Sequence, residues 1–176
     1  MSFGGDWTGC LHFWDDDKKK WIQVSADKVH QFFRNVLKAE GEIIIFSEIR
    51  KYDLDMIPEW RIPGWFGNWH EYTLVETTNW YWSVEKMAEG LFVQRSKSKN
   101  IIRCKFGADD RSKDRSEGRS SNVSFGENLM KIAQWIINRR ELGNTYHVLD
   151  RNCHHFASLL HEAIVRSEGR RLDNTV

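Results

Sequence analysis

The sequence predicts an α+β fold in which a small antiparallel sheet packs against helices. Two patterns carry that expectation. Short aromatic and β-branched runs are separated by turn residues, and three other stretches repeat apolar residues every three or four positions. The 176 residues suit a single domain over 1–176, with 40% hydrophobic side chains to build a core. Within it we expect an N-terminal hairpin-helix extension (1–60) and a flexible insertion (109–121).

Cys10-Leu-His-Phe-Trp14 and Lys20-Trp-Ile-Gln-Val24 flank a charged loop and predict a hairpin. Ser25 then opens a helix whose Val29, Phe32, Phe33, Val36 and Leu37 share one face, with Gly41 as the stop. Ile43-Ile-Ile-Phe46 reads as a buried strand, and Asp53 to Trp69, with both prolines, as an ordered loop. Strands are expected at His70–Val75 and Trp80–Val84 around Thr77-Thr78-Asn79, with a third at Leu91–Val93. Asp109 to Ser121, dense in Lys, Arg, Asp, Ser and Gly, reads as a solvated loop. Ser124-Phe-Gly-Glu127 is a capping box for a helix bearing Leu129, Ile132, Ala133, Ile136 and Ile137. After Gly143 come a strand at Thr145–Leu149 and a last helix with Phe156, Leu159, Leu160, Ala163 and Ile164 on its apolar face.

Charge and motifs exclude several functions. The 26 Lys+Arg nearly cancel the 25 Asp+Glu, so the basic excess of a nucleic-acid binder is missing. No apolar run reaches the length of a membrane span, and Met1 to Lys20 lacks a signal-peptide pattern, which predicts a soluble cytoplasmic protein with no integral membrane segment. Three cysteines, at 10, 104 and 153, cannot form a disulfide framework or a four-cysteine zinc site. His147, Cys153 and His154 match no zinc spacing, so neither metal nor cofactor is expected.

The chemistry concentrates in Tyr146-His-Val-Leu-Asp-Arg-Asn-Cys-His-His-Phe-Ala157. Counting back along the last helix puts Asn152 or Cys153 in its first turn. There the helix dipole and unpaired amides acidify a thiol and can hold an oxyanion. A buried free cysteine can equally serve as a small hydrophobe, so a proton-accepting partner decides between the two readings. His70, at a predicted strand end behind a Gly-Trp-rich loop, is the candidate base. His154 and His155 share the helix's first turn and read first as capping, packing or solvent-facing groups. Tryptophans 60, 65, 69, 80 and 82 gather around the strand pair, and Trp65 and Trp69 are candidates to wall a substrate groove.

A histidine on an early strand, followed much later by Asn152-Cys153-His-His155-Phe156 opening a helix, resembles the circularly permuted papain-like group. That group includes the PPPDE desumoylating-type peptidases and the lecithin:retinol acyltransferase-like proteins. The resemblance spans roughly residues 68 to 165 and implies a permuted papain-like fold. It makes Cys153 the nucleophile and His70 the general base, with Asn152, His155 and Phe156 in supporting positions. The acyltransferase side carries a second histidine on the next strand, where this chain reads Trp80-Tyr-Trp-Ser83. The ring-orienting role is thereby open to Glu85, which a two-residue turn at Thr77-Thr78 would set opposite His70. The peptidase side implies a cysteine hydrolase acting on peptide or isopeptide bonds, with ubiquitin-like modifier conjugates as protein partners. The other side implies a thiol acyltransferase or lipid hydrolase. A binding module that has lost turnover is the rival from another class, and oligomeric state is left open.

Overall fold

The computed structural model describes residues 7–15, 18–53, 69–123, 126–145 and 152–166. The N-terminal hairpin forms as expected: β1 (Cys10–Asp15) and β2 (Lys20–Ser25) pair antiparallel, with Cys10 facing Ser25 and Asp15 facing Lys20. It is not an extension. β1 also runs parallel to β6 (Gly90–Ser96), from Leu11 beside Leu91 to Trp14 beside Gln94. The approach is close enough that a Cβ at Gly90 would lie 2.9 Å from the Cys10 carbonyl oxygen, so glycine is required there.

The stretch expected to be one helix after Ser25 is a broken spiral. A 3₁₀ turn (Ala26–Lys28), a single α-turn, α1 (Val29–Gln31), and a π-turn (Phe32–Val36) follow one another. Val29, Phe33 and Leu37 are buried, whereas Val36 stays exposed. β-branched and aromatic residues lose rotamer freedom against the preceding turn, which weakens a regular helix here. The chain leaves the spiral at Lys38, which is left-handed with φ 55°, ahead of the expected stop at Gly41.

The four-residue strand expected at Ile43–Phe46 lengthens into β3 (Ile44–Asp53). It pairs antiparallel with β4 (Trp69–Thr77), which continues through β5 (Tyr81–Met87) to β6. The small antiparallel sheet of the sequence reading is thus a seven-stranded mixed sheet, in the order β2-β1-β6-β5-β4-β3-β9.

Its last member corrects a second expectation. A short helix, α2 (Lys99–Cys104), and a tight hairpin of β7 (Lys105–Phe106) and β8 (Asp109–Asp110) lead into β9 (Ser112–Asn122), an edge strand along β3. The stretch read as a flexible loop at 109–121 is therefore ordered as strand. Charged side chains suit an exposed edge, because they discourage further pairing. Two of its charges also turn inward. Arg111 is buried, and Asp114 accepts hydrogen bonds from Arg50, Arg103 and Tyr72.

Both faces of the central strands are covered. One packs Val75, Trp82, Val84 and Leu91 against Ile132 and Ile136 of α3 (Met130–Asn138) and Phe156, Leu160 and Ile164 of α4 (Cys153–Val165). The other holds a smaller cluster of Tyr52, Tyr72, Leu74 and Ile102. Strand alternation produces this division: Tyr72 and Leu74 face one way, while Thr73 and Val75 face α4. The helix expected to open at Ser124 begins instead at Met130, with Leu129 at its N-cap and no side-chain capping bond. Ser124 itself, the strand at Thr145–Leu149 beyond its first residue, and Trp60 and Trp65 lie outside the described residues. Trp82 is buried, with its indole N–H donating to Thr77 Oγ1 at 3.1 Å. No helix among the described residues is long and apolar enough to cross a membrane.

Candidate functional site

The last helix begins where the sequence places it. Asn152 is the N-cap: its Oδ1 accepts the His155 backbone N–H at 3.0 Å and its carbonyl accepts that of Phe156 at 3.1 Å. Cys153 is therefore the first helical residue, at the positive end of a 13-residue helix, and it is buried. Below it lies the start of β4. The ladder between β4 and β5 ends at Thr73 opposite Val84, leaving the first residues of β4 beyond it. The Cys153 thiol comes to this end of the strand. It lies close enough to the His70 ring and to the Glu71 backbone for both to lower its pKa.

His70 is buried and faces Tyr52 across the β3–β4 pair, their ring centroids 5.3 Å apart. Its Nε2 lies 3.3 Å from Glu85 Oε2. Glu85 thus lies beside His70, although by a different turn from the one expected. The two-residue turn is at Thr78-Asn79, closed by the Thr77 N–H donating to the Trp80 carbonyl at 2.9 Å. Moving a two-residue turn by one position shifts the register by two, which keeps every side chain on its own face. Glu85 consequently reaches His70 along a diagonal instead of straight across.

Arg111 completes the row, and the sequence reading did not single it out. Its guanidinium grips Glu85 with two hydrogen bonds, of 2.6 and 3.1 Å, and donates also to Ser83 Oγ and the Lys105 carbonyl. It stacks over the Tyr72 ring, 4.1 Å from its centroid. Thiol, imidazole, carboxylate and guanidinium follow one another across the sheet, so their charges alternate when all are ionised. For Glu85, burial favours the neutral acid, but Arg111 and His70 together hold the carboxyl down to about 2. His70 is likewise disfavoured as a cation by burial, yet Cys153 and Glu85 raise it well above an ordinary histidine. Burial pushes the Cys153 thiol up, and the neighbouring His70 charge more than offsets it, so its pKa falls below the ordinary thiol value. The arrangement favours thiolate beside imidazolium at neutral pH.

A second imidazole and carboxylate flank the sulfur. His154 Nδ1 lies 2.8 Å from Glu71 Oε1, and Arg119 approaches the other carboxylate oxygen at 3.7 Å. His154 is one-third exposed, and the Trp69 ring meets it edge-on at 5.9 Å. Trp69 therefore borders the site from β4, carrying Lys51 over its face, while its proposed fellow groove residue Trp65 is not among the described residues. His155 takes no part in the row. Its ring lines a cavity of about 250 Å³ with Asn152, Asn144, Lys86, Arg139 and Glu141, on the other flank of the helix start. Of the residues anticipated from sequence, Cys153, His70 and Glu85 converge, Asn152 caps, and His155 points elsewhere. Glu71 and Arg111 were not anticipated. Glu71 carried one readable signal, since it directly follows the candidate base on a strand.

Comparison with known proteins finds no matching family model, no matching curated protein and no matching solved structure. The fold and the described site define an α+β protein whose large mixed sheet brings a helix-start cysteine against a buried histidine, carboxylate and arginine.

Proposed function

We propose that this chain is a cysteine-dependent hydrolase with a Cys153-His70 dyad. The alternating row of buried groups ending on a helix-start thiol carries that reading. An inert packing cysteine needs no imidazole, and an imidazole serving only as core filler needs no ionised carboxylate anchored by an arginine. In the reaction His70 holds the proton lost by the thiol, and Glu85 fixes the ring and favours its charged form. Cys153 attacks a carbonyl carbon to form a C–S bond, amides at the start of α4 face the developing oxyanion, and water then releases the acyl group. The order of histidine before cysteine, with an Asn-Cys-His-His-Phe helix start, supports a permuted papain-like arrangement. With it comes the substrate class of the peptidase side: a peptide or isopeptide bond, as in conjugates of ubiquitin-like modifiers. Glu85 fills the orienting role for which the acyltransferase side uses a second histidine, which favours the peptidase side.

The test is turnover of ubiquitin-like conjugates and activated peptide esters by the wild type, Cys153→Ala and His70→Ala. The wild type should turn over at least one substrate, Cys153→Ala none, and the double variant should be little worse than either single one. Full activity in folded Cys153→Ala would overturn the proposal. Inactive but folded wild type would instead favour a binding module.

A further inference from the structure

The Cys153-His70 dyad does not explain why a second histidine-carboxylate pair sits at the same sulfur. Glu71 joins the two: its backbone lies near the Cys153 thiol and its carboxylate binds His154 Nδ1 at 2.8 Å. That contact orients the ring and directs its Nε2 away from the carboxylate, while the Trp69 edge limits the ring's freedom on another side. The two imidazoles differ in access. His70 is buried, with Nε2 against Glu85, whereas His154 is one-third exposed at the rim. A group that exchanges protons with a substrate's departing atom and with water needs that access, while the group that stabilises a thiolate needs burial.

Resting on the hydrolase reading above, we propose that His154 is a second acid-base group of this site, positioned by Glu71, which gives a proton to the leaving group while His70 remains the partner of the thiolate. The Cys153 sulfur forms a bond to the carbonyl carbon, and the carbonyl π electrons move to oxygen. As they return, the bond to the leaving oxygen or nitrogen breaks, and that atom keeps the electron pair and takes the proton from His154 Nε2. The thioester and neutral His154 result. His154 next accepts a proton from the attacking water, the C–S bond breaks, and the carboxylic acid product and thiolate are released. The groups around His154 are Glu71 and Arg119 from the sheet, His70 beyond the sulfur, and Cys153 itself.

General-acid help matters in proportion to the basicity of the leaving group, so two acetate esters with the same acyl group separate this role from a structural one. With p-nitrophenyl acetate the departing phenolate is weakly basic, and with phenyl acetate it is strongly basic. We expect His154→Gln to lower kcat/KM for phenyl acetate about tenfold or more and for p-nitrophenyl acetate only about two- to threefold. Glu71→Gln, which leaves the ring and the Glu71 backbone in place, should produce a weaker loss with the same dependence on leaving group. Alkylation of Cys153 by iodoacetamide at pH 8 reports separately on the dyad. Equal losses on both esters in both variants would overturn the proposal, as would no loss on either. Rapid alkylation of the wild type without release of either phenol would also overturn it. Slow wild-type alkylation, no faster than at Cys10 or Cys104, would instead remove the hydrolase reading on which it rests. If His154→Gln alone disturbs alkylation, the two-ester comparison in Glu71→Gln decides.

Discussion

Replacing Arg111 with methionine should destabilise the fold far more than a substitution in a charge-rich segment ordinarily does. The Arg111 and Glu85 side chains are essentially inaccessible and meet through contacts of 2.6 and 3.1 Å, with Arg111 also satisfying Ser83 and the Lys105 carbonyl. Methionine fills similar volume but leaves Glu85 buried beside only the His70 cation. Breaking one side of a buried ion pair costs about 3–5 kcal/mol, because the remaining charge has lost its compensation. At about 2–4 °C per kcal/mol for a chain of this size, the thermal midpoint should fall by roughly 6–20 °C. Urea unfolding measures the free energy and thermal unfolding the midpoint, both followed by tryptophan fluorescence because Trp82 is buried in the native core. Glu85→Gln in the Arg111→Met background removes the stranded charge and should recover about 2 kcal/mol, seen as a coupling energy in the double-variant cycle. A loss below about 1 kcal/mol for Arg111→Met, or strictly additive variants, would refute the buried pair. Deleting residues 109–121 should likewise be strongly destabilising, since it removes Arg111, Asp114 and most of the edge strand together.

Asn152→Ala should cost about 1 kcal/mol in urea unfolding, through loss of the side-chain acceptor for the His155 N–H; unchanged stability would mean the cap is not formed. Glu85 sets an acid limit. Its carboxyl is held to about 2 in the folded chain against about 4.3 in the unfolded one, so its contribution of about 3 kcal/mol is complete above the unfolded value and is lost as pH falls toward 2. Unfolding free energies measured between pH 6 and 2 should show this slope in the wild type and lose it in Glu85→Gln; equal slopes would contradict it.

The parts of the site governed by local pattern were readable in the sequence. Period-two alternation located β4 and β5, and a cap residue followed by a spaced apolar stripe placed Cys153 at a helix start. Glu85 was found although the turn was misplaced by one residue, because such an error preserves which face a side chain occupies. Non-local choices were hidden. Nothing near Cys10–Asp15 encodes its parallel pairing with a strand eighty residues away, so an integral part of the sheet read as an extension. Arg111 belongs to a segment whose average composition is that of solvated chain, and composition does not distinguish one inward-facing arginine from several outward-facing ones. The spiral after Ser25 shows a converse limit: apolar spacing identified Val29, Phe33 and Leu37 as core, but spacing alone does not distinguish α from mixed 3₁₀ and π turns.

Every chemical step proposed above requires Cys153 to be a thiolate paired with His70 at neutral pH, and the pH dependence of its alkylation reads that state. The rate constant for iodoacetamide at Cys153, read by peptide mass analysis with Cys10 and Cys104 as internal references, should rise through a midpoint near 6 and remain high through neutrality. The thiolate is present above that midpoint because its pKa is depressed, and the imidazolium partner persists until pH rises through about 9. In Glu85→Gln, where His70 loses its anionic neighbour, the Cys153 midpoint should move upward. A wild-type midpoint near the ordinary thiol value of about 8.5, with Cys153 no faster than the other two cysteines, would contradict the account.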